Sequence, residues 1–72
     1  MGKEITTLKQ ARKRLKLTQQ EMAQILGVSR MTITYYETNT MSPVAKDMYK
    51  IARAYKLTDL EIAQWIKEIS EE

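Results

Sequence analysis

The chain has 72 residues, 12 Lys or Arg against 9 Asp or Glu, a formal net charge of +3, and neither cysteine nor histidine. Without cysteine there is no disulfide framework and no thiolate metal site, and without histidine the commonest general base and metal ligand is missing. Catalysis, a resident metal and a cofactor are therefore not expected. No apolar run approaches the ~20 residues of a membrane span, and the start MGKEITTLK lacks an apolar signal core, so a soluble, cytoplasmic protein is expected.

Glycine and proline together number three, and nothing resembles a linker or a low-complexity tract. One domain over residues 1–72 follows, small enough to bury only about 60% of its unfolded surface. Charge is unevenly spread: residues 1–56 hold 11 Lys or Arg against 4 acids, while residues 57–72 hold 1 against 5. A basic body with an acidic end suits a polyanion-binding surface on the body, although a basic bias alone often marks only a solvated face.

A first helix is predicted from Glu4 or Thr7 to Leu15, the later start marked by the box Thr7-x-x-Gln10. Ile5, Leu8, Ala11 and Leu15 form its apolar stripe, and Arg12, four residues after Leu8, lies on that stripe. A charge there is costly unless paired. Glu37 holds the matching place on a later helix, four residues after core Ile33, and is the expected partner in a structural ion pair. Lys9, Lys13, Arg14 and Lys16 fall off the stripe and read as solvated, with Lys9, Lys13 and Lys16 within reach of a phosphate backbone.

The most organised stretch is TQQEMAQILGVSRMTITYYE, Thr18 to Glu37. Thr18 and Glu21 make a capping box, and Met22, Ala23, Ile25 and Leu26 follow at helical spacing. Gly27 stands where a helix must turn left-handed, and Ser29 is a good cap for the next helix. In that helix Ile33, Tyr36 and Glu37 share the inner face, while Met31, Thr34 and Tyr35 point away.

Thr18-Gln19, Met22-Ala23, Gly27-Val28-Ser29, Ile33 and Tyr36-Glu37 together resemble the helix-turn-helix of the phage-repressor family, which includes the Cro proteins and the lambda and 434 repressors. A plain helical hairpin would explain the apolar spacing but not the glycine, serine and glutamate that punctuate it. The resemblance implies a salt bridge between Arg12 and Glu37, a phosphate contact at Gln19, and base readout at positions 30, 31 and 35. The residue types at those positions differ from the glutamines of the best-known relatives, so an operator sequence is not carried over.

In the loop TNTMS, Asn39 stands where the family usually has glycine, and asparagine is the next-best residue for a left-handed position. The basic residue that often follows is replaced by Thr40 and Met41. Ser42-Pro43 predicts the start of a fourth helix, Pro43 to about Tyr55, with Val44, Met48, Ile51, Ala52 and Tyr55 inward and Lys46, Lys50 and Arg53 outward. Thr58-x-x-Glu61 opens a fifth, Asp59 to about Ile69. There Leu60, Ala63, Trp65 and Ile66 suggest the buried stripe, and Ile62 and Ile69 widen it toward a dimer seam. The acidic end, Glu68, Glu71 and Glu72, is expected to face away from DNA.

These readings give an all-α, five-helix, lambda-repressor-like DNA-binding domain: a transcriptional regulator, expected to be a repressor, reading double-stranded DNA as a homodimer. Base edges are expected to meet Arg30, Met31, Thr34 and Tyr35, with Arg30 suited to guanine O6 and N7. Phosphates are expected at Gln19, Thr32, Thr38, Asn39, Thr40 and Lys9. The competing reading is an antitoxin-like or adaptor protein whose main partner is another protein.

Overall fold

The computed structural model describes residues 6–70. The expectations placed on Glu4, Ile5, Glu71 and Glu72 lie outside them. Five helices follow one another: α1 Thr7–Arg14, α2 Gln19–Leu26, α3 Arg30–Glu37, α4 Ala45–Ala54 and α5 Asp59–Ser70. The fold is all-α.

Helix α1 is capped one residue earlier than the Thr7-x-x-Gln10 box suggests. The Thr6 hydroxyl accepts from the Lys9 N–H and donates to the Glu37 carbonyl at 2.7 Å, tying the start of α1 to the end of α3. Thr7 is buried instead, its hydroxyl donating to Glu68 of α5 at 2.6 Å. Two residues beyond the ends of α1 and α4 stands a lysine with left-handed backbone, Lys16 at φ 61° and Lys56 at φ 54°. Each is followed by Leu-Thr-x-x-Glu, so that KLTQQE and KLTDLE build the same turn twice. In both, Thr and Glu close a complete capping box, and an apolar residue precedes the cap.

The core is formed by Leu8 and Ala11 of α1, Met22, Ala23 and Leu26 of α2, Ile33 of α3, Ile51, Ala52 and Tyr55 at α4, and Trp65 of α5. Three sequence expectations fail here. Ile25 is exposed because it projects roughly a quarter turn away from the Met22, Ala23 and Leu26 face. Helix α4 begins two residues later than Pro43, since Val44 is extended at ψ 158°, caps with no side-chain bond and stays outside the core.

The third failure is the face of α5. Leu60, Ala63 and Ile66 remain exposed, and Ile62, Trp65 and Ile69 pack inward. Two carboxylates choose that orientation. Glu61 receives the Arg14 guanidinium at 2.5 and 3.0 Å, and Glu68 receives the N–H and hydroxyl of Thr7. Residues 61, 62, 65, 68 and 69 lie on one side of a helix, so both clasps and the Trp65 ring must face α1 together. Arg14, read from sequence as solvated, is thus an interhelix anchor. The clasps also make α5 run antiparallel to α1.

Candidate nucleic-acid interface

The site starts from the turn between α2 and α3. Thr18 and Glu21 satisfy each other's backbone N–H groups at 3.0 and 2.8 Å, fixing the start of α2. Gly27 ends it at φ 72°, ψ 33°, its N–H bonded to the Ala23 and Gln24 carbonyls. A Cβ at Gly27 would meet nothing within 4 Å, so glycine is favoured there by backbone conformation alone. Ser29 then accepts from the Thr32 N–H and starts α3 at Arg30.

Behind α3 lies a buried polar centre. Arg12 Nε donates to Glu37 Oε2 at 2.7 Å and its Nη2 to Oε1 at 3.0 Å, while its Nη1 reaches the Leu17 carbonyl at 2.9 Å. The side chains of this pair are 9% and 1% exposed. Tyr55 donates its hydroxyl to Glu37 Oε2 at 2.8 Å, and Gln19 Nε2 donates to Oε1 at 3.3 Å. Among the described residues no buried side-chain polar atom is left without a partner. The bond to Glu37 holds the Arg12 guanidinium above its ordinary pKa range against the opposing effect of burial. Burial, and then the Glu37 carboxylate, push the Tyr55 hydroxyl well above the usual tyrosine range. Tyr55 appeared in the sequence only as an apolar position on α4. A tyrosine on a core stripe carries no sequence mark of its partner.

Gln19 carries the order of this centre to the surface. The Glu37 oxygens accept from Arg12 and Tyr55, and Gln19 turns its amide NH₂ inward to donate to the same carboxylate. Its Oε1 then faces α3, where Thr34 donates at 3.2 Å and Arg30 approaches at 3.5 Å. Beside them runs an open groove of about 660 Å³, lined by Lys9 and Lys13 of α1, Lys16 just beyond it, Thr18 and Gln19 at the start of α2, and Arg30. Two of the expected phosphate contacts, Lys9 and Gln19, share this groove with Arg30. The first N–H groups of α2 have no intrahelical partners and add partial positive charge.

The other expected contacts sit further along. Met31 and Tyr35, four residues apart on α3, are 55% and 39% exposed, whereas Thr34 is half-buried between them and Gln19. Thr32 is half-buried with its hydroxyl against Ser29 at 3.0 Å. Thr38 and Thr40 bond to each other at 2.7 Å at the far end of α3, well separated in the chain from the groove residues. Asn39 between them takes the left-handed conformation at φ 59°. The Tyr35 carbonyl accepts from the N–H groups of Thr40 and Met41 at 2.9 and 3.3 Å, which closes the C-terminal end of α3.

A helix-turn-helix family model matches residues 8–62, which span the charged groove, the turn and the buried centre. The chain belongs to the Cro- and phage-repressor-like helix-turn-helix family. It is also 39% identical over 59 residues to an uncharacterized HTH-type transcriptional regulator of Archaeoglobus fulgidus, covering 79% of this chain and 83% of that protein. No solved structure matches it. Membership places the chain among DNA-binding transcriptional regulators. Among the described residues no helix is long and apolar enough to cross a membrane, and no cluster of three acidic residues could hold a metal ion.

Proposed function

We propose that this helix-turn-helix protein is a sequence-specific repressor that lays α3 in the major groove of double-stranded DNA, N-terminus first. The observation that carries the reading is the junction of two surfaces at Arg30. On one side lies the basic groove of Lys9, Lys13, Lys16 and Gln19, and on the other the exposed row of α3. A duplex offers the same pairing, phosphates beside base edges. Arg30, Met31, Thr34 and Tyr35 meet bases in this reading. Lys9 and Gln19 hold one stretch of backbone, Gln19 through its second amide hydrogen. Thr32, Thr38, Asn39 and Thr40 lie toward the other.

One module of this size buries too little surface for tight specific binding, so the working form is a two-fold dimer on half-sites about one helical turn apart. The exposed Leu60 and Ile66 of α5 supply apolar surface for its seam. The same exposed surface supports the second reading, an adaptor or antitoxin-like protein that uses α5 to hold another protein. Selection of bound sequences from a random duplex pool separates the two. A palindromic consensus, with log K falling against log salt at about −0.9 per phosphate neutralised, supports the repressor reading. Failure to enrich any sequence, with a flat salt response, favours the protein partner.

A further inference from the structure

The part of α3 that faces outward beyond Arg30 carries almost no hydrogen-bonding chemistry. Met31 and Tyr35 stand four residues apart on one face, 55% and 39% exposed. Thr34, the polar residue between them, turns its hydroxyl toward Gln19 Oε1 and the Arg30 carbonyl. Thr38 is likewise spent on the Thr34 carbonyl and on Thr40. Residues 31–45 contain a single charged residue, Glu37, and it is buried. What remains is a thioether and a phenol ring with one hydroxyl at its tip.

Such a row discriminates bases by shape and desolvation. Pressed against a guanine, cytosine or adenine edge, a methionine strips water from donors and acceptors and returns no bond, which is costly. Thymine alone projects a C5-methyl group into the major groove that an apolar side chain can cover. The basic groove beside Arg30 complements the flanking phosphates and makes DNA the occupant of this face. Resting on the DNA-binding reading above, we infer that Met31 and Tyr35 form a thymine-methyl reader. Each half-site then carries thymines where these side chains fall, next to the base pair met by Arg30.

The test uses the full chain and its selected duplex, replacing thymines with deoxyuridine one at a time. That change removes the methyl group and leaves every hydrogen-bonding edge and phosphate in place. At the covered positions the affinity falls about fourfold per methyl lost, and elsewhere it does not change. Met31→Ala, an exposed position that leaves the core intact, abolishes the uracil penalty at the position Met31 covers and keeps it at the others. If the thymine duplex binds and uracil is tolerated everywhere, the methyl reader is overturned while DNA binding stands. If no duplex binds even at low salt, both this inference and the reading beneath it fail.

Discussion

Helices α2 and α5 start with the same six-residue pattern, KLTQQE and KLTDLE, and the same capping box, yet they are held in place by different forces. Helix α2 buries Met22, Ala23 and Leu26, and its polar start is fixed by Gln19 bonding to Glu37. Helix α5 fully buries only Trp65 and is oriented by two carboxylates reaching α1. The cap therefore decides where a helix begins and leaves open which face turns inward. That second choice belongs to tertiary partners: a buried, fully satisfied polar centre for the α2–α3 unit, and partly solvated clasps for α5.

The sharpest way to break the first of these is Arg12→Ala. It strands Glu37 in the core with only Tyr55 and Gln19 still donating, and a buried pair broken from one side costs ~3 to 5 kcal/mol. The remaining donors place the loss near ~3 kcal/mol, a large part of what so small a chain possesses. Thermal melting of the variant against the parent checks it, and equal midpoints would remove the centre from its structural role.

Tyr55→Phe follows, at ~1.5 to 3 kcal/mol for a hydrogen bond to a charged group. It also changes the alkaline limb. The folded state holds the Tyr55 proton above the ordinary value of 10.0, whereas the unfolded chain releases it there. Stability that Tyr55 contributes is thus present below pH 10 and lost as pH rises past it. The phenylalanine variant should show a shallower alkaline fall in melting temperature.

How far these features were legible depended on whether their cause was local. Thr18, Gly27 and Ser29 act on their own backbone neighbours, and the sequence placed all three. Arg12 and Glu37 could be matched because each interrupts an apolar stripe. The start of α4 was misplaced because Ser42-Pro43 has the form of a helix start while Val44 stays extended. The face of α5 was misread because Leu60, Ala63 and Ile66 are as apolar as Ile62 and Ile69, and what breaks the tie, Thr7 and Arg14, is more than forty residues away. Of the candidate site, the row on α3 follows from helical spacing. Its junction with the Lys9, Lys13 and Lys16 groove depends on how α1 packs, which spacing does not show.

Gly27→Ala sharpens the local side of the comparison. With open space around the added methyl, only the left-handed backbone resists, at ~1 to 2 kcal/mol. A smaller denaturation midpoint shift than for Tyr55→Phe is expected, and a larger one would mean that the turn is crowded after all.

Arg14→Ala should give the smallest change, since this ion pair is exposed and water screens it. Its signature is in acid. The Arg14 bond holds the Glu61 carboxyl below its usual range, so the clasp's contribution is present above that range and lost as pH falls through it. The variant should lose stability less steeply on acidification than the parent, as followed by helical circular dichroism.

The central claim, that α3 reads bases while the α1–α2 groove holds backbone, is tested most directly by measuring Arg30→Ala and Lys13→Ala against a selected site and a scrambled one. Gln19 is unsuited to this test because it bonds to Arg30, Thr34 and Glu37 at once. Arg30→Ala is predicted to cost ~1 to 3 kcal/mol on the selected site alone and to relax the choice at one base pair. Lys13→Ala should weaken both duplexes by similar factors and reduce the salt slope by about 1. Equal losses on both duplexes for Arg30→Ala would make Arg30 a phosphate clamp and contradict the account.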